Sequence, residues 1–431
     1  MPTRSSIGYR QVPLSAGLAC DYDWMYDGSS DYLTHQKDPL SITGSTESLH
    51  NHALPSGDGL DEGLLLHLCD SIRSSLGDRR ILGPRWEEAM GLLTAVLKDE
   101  ANGTPMIEFS TVQTARLDKL LSDIVNPGNR PMPTPTRFRD DVNVAERLQR
   151  LWRTRFLESY FTIDQNRYNT LPRTGRLHDV IMNEPDESNP GRWRAKAREA
   201  LSELEGNLIF EPGHWWLNLA CAQRDGIVGS VLETPTKGKY GVTALPLVTG
   251  WESVFLPGGT VKYVKEGHIS DLHISLLSQV GTQIRILRGH RLQSPLAPKA
   301  GIRYDGLYII RQYGQRLNLR TGLHRVVLTL ERVEDTYSVD ELIQVPRPSQ
   351  LDDWKLFETY EGEIIKQRKG QRGFLDWKME RAQEKMDQEQ YMRTLAFQTS
   401  LELAKIGQPS RVQSFLRTHR KRREPIIDNV L

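Results

Sequence analysis

Cysteine is scarce in this chain: three in 431 residues, Cys20, Cys69 and Cys221, set far apart. Three cysteines cannot build a disulfide framework or a four-cysteine zinc site, which excludes RING, PHD and classical zinc-finger modules within this sequence. They fit a reducing compartment, cytosol or nucleus. Long apolar runs are missing too, and nothing approaches the roughly 18 residues that span a bilayer. The first residues, MPTRSSIGYRQVPLSAGLACDYDW, lack the apolar stretch of a signal peptide. Nor is there an excess of one charge, with 56 basic residues against 55 acidic ones. Global charge is therefore silent about nucleic acid, and only local charge can speak. No Walker-type loop, glycine-rich dinucleotide turn or zincin helix occurs, and no metal or cofactor is expected.

What is present changes in character along the chain. Residues 1–57 are rich in Ser, Gly, Asp, His and Pro without sustained period, and disorder is expected there. From Leu60 to about 165 apolar residues recur at helical spacing. Leu64, Leu65, Leu68, Ile72 and Leu76 form one run, and Trp86, Met90, Leu93, Val96 and Leu97 a second behind Gly83-Pro84. A third opens at Ser110 and ends at Asn126-Pro127-Gly128; a fourth carries Leu148, Trp152, Phe156 and Tyr160. The spacing predicts a helical bundle over 58–165. A linker and helix are expected over 166–207, the helix from Asn189-Pro190 to Gly206. Between 208 and 345 short apolar runs separated by Gly and Pro predict a β-rich domain: 240–248, 259–264, 283–287, 306–312 and 324–333. After Pro346 the chain is expected to form a charged helical tail ending in a basic cluster, THRKRREPIIDNVL.

One stretch breaks the charge balance. From Gly281 to Arg332 stand ten Lys or Arg against only Asp305 and Glu331. Such a block supplies phosphate affinity if its cations share a face, and little if they are spread over several. From sequence alone the two arrangements are equally admissible.

The residues around this block resemble a known family. Ile284 to Ile310, IRILRGHRLQSPLAPKAGIRYDGLYII, is similar to the signature half of the SRA domain, also called YDG, with the triplet present as Tyr304, Asp305 and Gly306. The resemblance covers about 208–345. It implies an α+β protein in which a central PUA-like curved β-barrel carries α-helical N-terminal and C-terminal flanks. It further implies a domain that binds double-stranded DNA containing modified cytosine of the 5-methylcytosine type. Such a domain flips the base out of the duplex into an aromatic pocket. Carried over residue by residue, Trp251 and Tyr263 take the places of the two stacking aromatics. Ser253 and Val254 stand where the family has acidic residues, Glu252 is the nearby carboxylate, and Val264 follows the second aromatic. Arg285, Arg288, Arg291, Lys299 and Arg303 are the expected phosphate contacts. Barrel-core aromatics are the alternative for Trp251 and Tyr263, and structural support of the strand is the expected role of the triplet.

Weaker signals complete the reading. His50 and His52 lack ligand partners, and His268 and His273 lie near the pocket rim. Asp353-Trp354-Lys355 and Asp376-Trp377-Lys378 match a nuclease pattern that is common by chance. Arg420, Lys421, Arg422 and Arg423 resemble a nuclear import signal. The sequence thus points to a nuclear, non-enzymatic chromatin protein that binds DNA and meets chromatin proteins through its helical flanks. The alternative is a protein-interaction scaffold whose barrel has lost base recognition.

Overall fold

The computed structural model describes residues 61–183, 192–196, 199–201, 209–255, 260–268, 274–333 and 338–407. The segment 1–57, His50, His52, His273, the basic cluster at 420–423 and most of the helix expected over 189–206 lie outside the described residues.

Seven helices come first: α1 (Glu62–Ser74), α2 (Trp86–Ala101), α3 (Phe109–Thr114), α4 (Leu117–Val125), α5 (Phe138–Phe156), α6 (Glu158–Phe161) and α7 (Ile163–Thr170). Asp61 caps α1, its carboxylate accepting from the Gly63 and Leu64 amides at 2.8 and 3.3 Å. The apolar stripes of these helices meet in one core that includes Ile72, Trp86, Leu121, Leu148 and Trp152. The single helix expected from Ser110 is two, because Arg116 takes a left-handed φ of 59° and turns the chain between α3 and α4. Leu157, at φ 47°, likewise separates α6 from α5.

Among the described residues ten strands follow: β1 (Val180–Met182), β2 (Trp193–Ala195), β3 (Trp215–Trp216), β4 (Thr236–Lys237), β5 (Val242–Leu247), β6 (Trp251–Phe255), β7 (Thr260–Gly267), β8 (Gln283–Gly289), β9 (Ile302–Leu317) and β10 (His324–Arg332). Trp193 was expected in a helix and instead lies in β2, which pairs antiparallel with β1 and buries that side chain. The main sheet runs β4-β5-β8-β9-β10-β7-β6, with β3 on β9. β5, mostly apolar, is buried along its whole length and pairs in parallel with β8. β10 alternates, burying Val326, Leu328 and Leu330.

The expected α+β class holds, but among the described residues no ladder joins β4 to β6, so the sheet is curved and open rather than a closed barrel. A single bridge approximates closure: the Glu252 amide donates to the Gln293 carbonyl at 2.8 Å, and the Gln293 amide to the Gly250 carbonyl at 3.1 Å.

The C-terminal helix Pro348–Gly407 is not a tail. Gly370, at φ 69° and ψ −170°, breaks it into two arms. The arms fold back: the second brings Trp377 against Gly362, whose missing Cβ would sit 2.8 Å from the indole. Glu361 accepts from Arg381 and Trp377 across the hairpin at 2.7 and 3.2 Å. The first arm is a strut. Arg73 of α1 reaches Asp352 at 2.8 Å, and Arg116 and Arg176 reach Asp353 at 2.5 and 2.9 Å. Farther along, Phe357 and Ile365 share one core with Trp193, Trp215, Leu287, Ile302 and Tyr304. Asp353 of the nuclease-like pattern is thereby committed to two arginines.

Candidate nucleic-acid interface

Strand β9 carries the YDG triplet through a bulge. Arg285 faces Leu307 and Leu287 faces Tyr304, so Asp305 and Gly306 together oppose Ile286. Gly306 takes φ 97°, a left-handed value that a side chain would resist. The bulge aims Asp305 inward, where it accepts from Arg288 at 2.6 Å and from Arg303 at 2.6 and 3.0 Å. Arg288 also grips both oxygens of Glu252, at 2.8 and 3.1 Å, and donates to the Tyr308 hydroxyl at 3.0 Å. Ser294 donates to Glu252 at 2.6 Å. Arg303 further donates to the carbonyls of Leu342 and Val345 at 2.7 and 3.0 Å.

Two arginines and two carboxylates thus form a neutral buried quartet. Burial raises the Asp305 carboxyl, but Arg303 and Arg288 outweigh it and hold it below its ordinary value. Burial also works against a charged Arg288, and Glu252, Tyr308 and Asp305 reverse that, keeping it protonated. Arg285, Arg288 and Arg303 are 1%, 0% and 1% exposed, so they are structural cations and not phosphate contacts. Arg285 donates to the Leu201 carbonyl at 3.1 Å. Glu252, 3% exposed, is Arg288's counter-ion rather than an open acceptor for a cytosine edge. Arg291 and Lys299 do reach the surface, and Arg291 lies 3.3 Å from Glu384 of the second helical arm.

The two candidate aromatics do not face one another. Trp251 pairs with Val264, and Glu252 with Tyr263. Side chains alternate along a strand, so Trp251 and Tyr263 project to opposite faces of the sheet. Tyr263 is buried, its hydroxyl donating to the Thr249 carbonyl at 3.0 Å and its ring lying 3.2 Å from where a Gly250 Cβ would be. Burial, then Glu233 and Glu252, push its phenol well above the ordinary tyrosine range. A base sandwich between these rings is therefore not formed. Val264 is fully buried, while Ser253 is half-buried beside Trp251 on the same face.

The outer face holds what remains for a polyanion. Trp251 is 36% exposed, and the Arg325 guanidinium sits 5.1 Å above its ring. Register places Lys262, Arg325 and Arg316 on that same face. Sequence reasoning missed Glu233, which accepts from the Val248 and Thr249 amides at 2.8 and 3.0 Å and from Lys265 at 2.8 Å. It fixes the turn before Trp251; a lone glutamate in a loop gave no signal of that.

No family model matches the chain. Over 52 residues it is 40% identical to a UHRF1-like protein of Cryptococcus neoformans var. grubii serotype A, a match covering 12% of this chain and 15% of that protein. The β domain is SRA-like. The match thus spans less than a sixth of the length of that relative. Among solved structures, SUVH6 of Arabidopsis thaliana in complex with SAM aligns with TM-score 0.27 and 16% identity, covering 42% of this chain and 33% of that one. The SUVH5 SRA domain in complex with hemimethylated CG DNA gives TM-score 0.21 and 16% identity over 33% and 90%. These superpositions are partial; the SRA-like assignment rests on the sequence match and on the strand carrying Tyr304, Asp305 and Gly306.

Proposed function

We propose that the SRA-like domain is a non-catalytic module that binds double-stranded DNA in a nuclear chromatin protein. The observation that carries this reading is the YDG strand, with its sequence likeness, inside a sheet whose outer face sets exposed Trp251 among Lys262, Arg325 and Arg316. Lysine and arginine supply salt-dependent phosphate affinity. An exposed indole stacks on a base or sugar whatever the sequence. Duplexes carrying 5-methylcytosine are the ligands that the family resemblance implies. Trp251 is the aromatic assigned to meet them, since Tyr263 and Glu252 are engaged inside. The second helical arm, exposing Leu375, Met379 and Met386, is the surface assigned to chromatin proteins.

The second reading is a protein scaffold. It is favoured by one observation, the withdrawal of Arg285, Arg288 and Arg303 into the core. A salt-controlled titration of the full chain separates the two, using matched duplexes with unmodified, 5-methyl and 5-hydroxymethyl cytosine. Preference for one modified duplex supports a reader. Equal, steeply salt-dependent binding supports a phosphate-tracking domain. Absence of binding at low salt sinks the DNA reading and leaves the scaffold.

A further inference from the structure

Strand β9 outruns its neighbour. Its ladder with β8 ends where Gln283 faces Ile309. Beyond Ile310 it continues beside β10 to the turn at 318–323. The length without β8 beside it, 311–317, runs about 20 Å along the sheet edge, with β10 and then β7 next to it. From Arg311 to Arg325 the ribbon holds four arginines and a histidine, and no Asp or Glu. Arg311 is engaged by Glu331 of β10. Arg316 and Arg320 are exposed, and neither guanidinium takes a partner among the described residues. Arg316 stands directly opposite Arg325. Like charges facing each other across an antiparallel pair destabilise it. Glu266, paired with Arg325 on its other side at 3.8 Å, offsets one of the two charges.

Protecting a sheet edge from pairing with other chains needs a charge, and Arg311 supplies one. It does not need a repelling pair with a further arginine at the tip. Those three charges sit at the end of the sheet, where β9, β10 and β7 run side by side and the turn at 318–323 closes the hairpin; lysine and arginine grouped so supply phosphate affinity. We propose that the β9–β10 tip extends the DNA contact of the Trp251 face, with Arg316 and Arg320 binding backbone phosphates. The inference rests on the DNA-binding reading of the SRA-like domain, and it carries the Trp251 face past Arg325 and Arg316 to the turn at Arg320.

The test uses the full chain and a labelled duplex of about 20 base pairs. Affinity is measured by fluorescence anisotropy from about 50 to 200 mM salt. The double variant Arg316→Gln/Arg320→Gln is expected to bind roughly tenfold more weakly at low salt. The slope of log affinity against log salt should fall by about 1.8, or ~0.9 for each lost phosphate contact. Arg311→Gln, on the same strand but engaged by Glu331, is expected to keep the wild-type slope. The double variant should melt no earlier than wild type, because a repulsion is relieved; should it melt early, Arg320→Gln alone, in the turn, is expected to lower the slope by about 0.9. Wild-type binding with an unchanged slope in the variants overturns the ribbon contact and leaves the DNA reading standing. A wild-type chain that binds no duplex at low salt overturns both.

Discussion

Arg288 and Glu252 meet in a two-point ion pair, at 2.8 and 3.1 Å, with neither side chain reaching water. The pair ties β8 to β6, strands that share no ladder. Removing one partner leaves a buried charge without compensation. Glu252→Ala is therefore expected to destabilise the chain by about 3–5 kcal/mol. Urea unfolding checks this, with duplex affinity per folded molecule expected to stay near wild type. A stable Glu252→Ala chain that had lost discrimination between cytosine forms would instead return Glu252 to base reading.

Trp251 behaves differently because it lines the outside. Trp251→Ala is expected to leave the melting temperature within a few degrees of wild type. It should weaken duplex binding by about tenfold, within the ~1–3 kcal/mol that one aromatic–base contact contributes. Unchanged affinity in the folded variant would remove this ring from the interface.

His290 sets a pH response. It follows β8, packs edge-on against Trp354 with ring centres 4.9 Å apart, and has its pKa lowered to about 3 by burial and then by Arg381 and Arg291. The unfolded chain takes up this proton near the ordinary value of 6.5, and the folded one does not until about pH 3. Stability is thus expected to fall as pH drops from 6.5 toward 3. His290→Gln should flatten that part of the profile. Thermal unfolding across the range decides it; an equal slope in both proteins would refute the assignment.

Gly362 is the contact point of the helical hairpin. Gly362→Ala drives a methyl into the Trp377 ring, 2.8 Å away. The expected cost is about 1–3 kcal/mol. The reading is a fall in unfolding free energy together with a red shift in Trp377 emission, best seen against a Trp377→Phe reference.

The short β runs were legible because their period is local. The expected segment at 283–287 is found in Gln283–Gly289, and that at 324–333 in His324–Arg332. The YDG triplet was legible as a motif, and its Asp305 and Gly306 lie at a bulge in β9. The fate of the arginines was not. Arg288 is buried because Glu252 lies 36 positions earlier in the chain. Arg303 is buried because two carbonyls 39 and 42 positions later turn toward it. A count of basic residues carries no information about such partners. The two arms of the C-terminal helix were hidden for a similar reason. Gly370 sits in an evenly charged stretch, and only the approach of Trp377 to Gly362 shows that the helix doubles back.

The strut formed by the first helical arm has a consequence for how this domain travels. Phe357 and Ile365 complete the same core as Trp193, Leu287 and Tyr304, and Arg303 finds two of its acceptors at Leu342 and Val345. The β domain is therefore not a cassette. Cut out at the ends of its sheet, it would expose the underside of the YDG strand to water, and grafted into another chain it would arrive without its keel. Whatever this sheet recognises, its shape depends on a helix that begins after the sheet is finished.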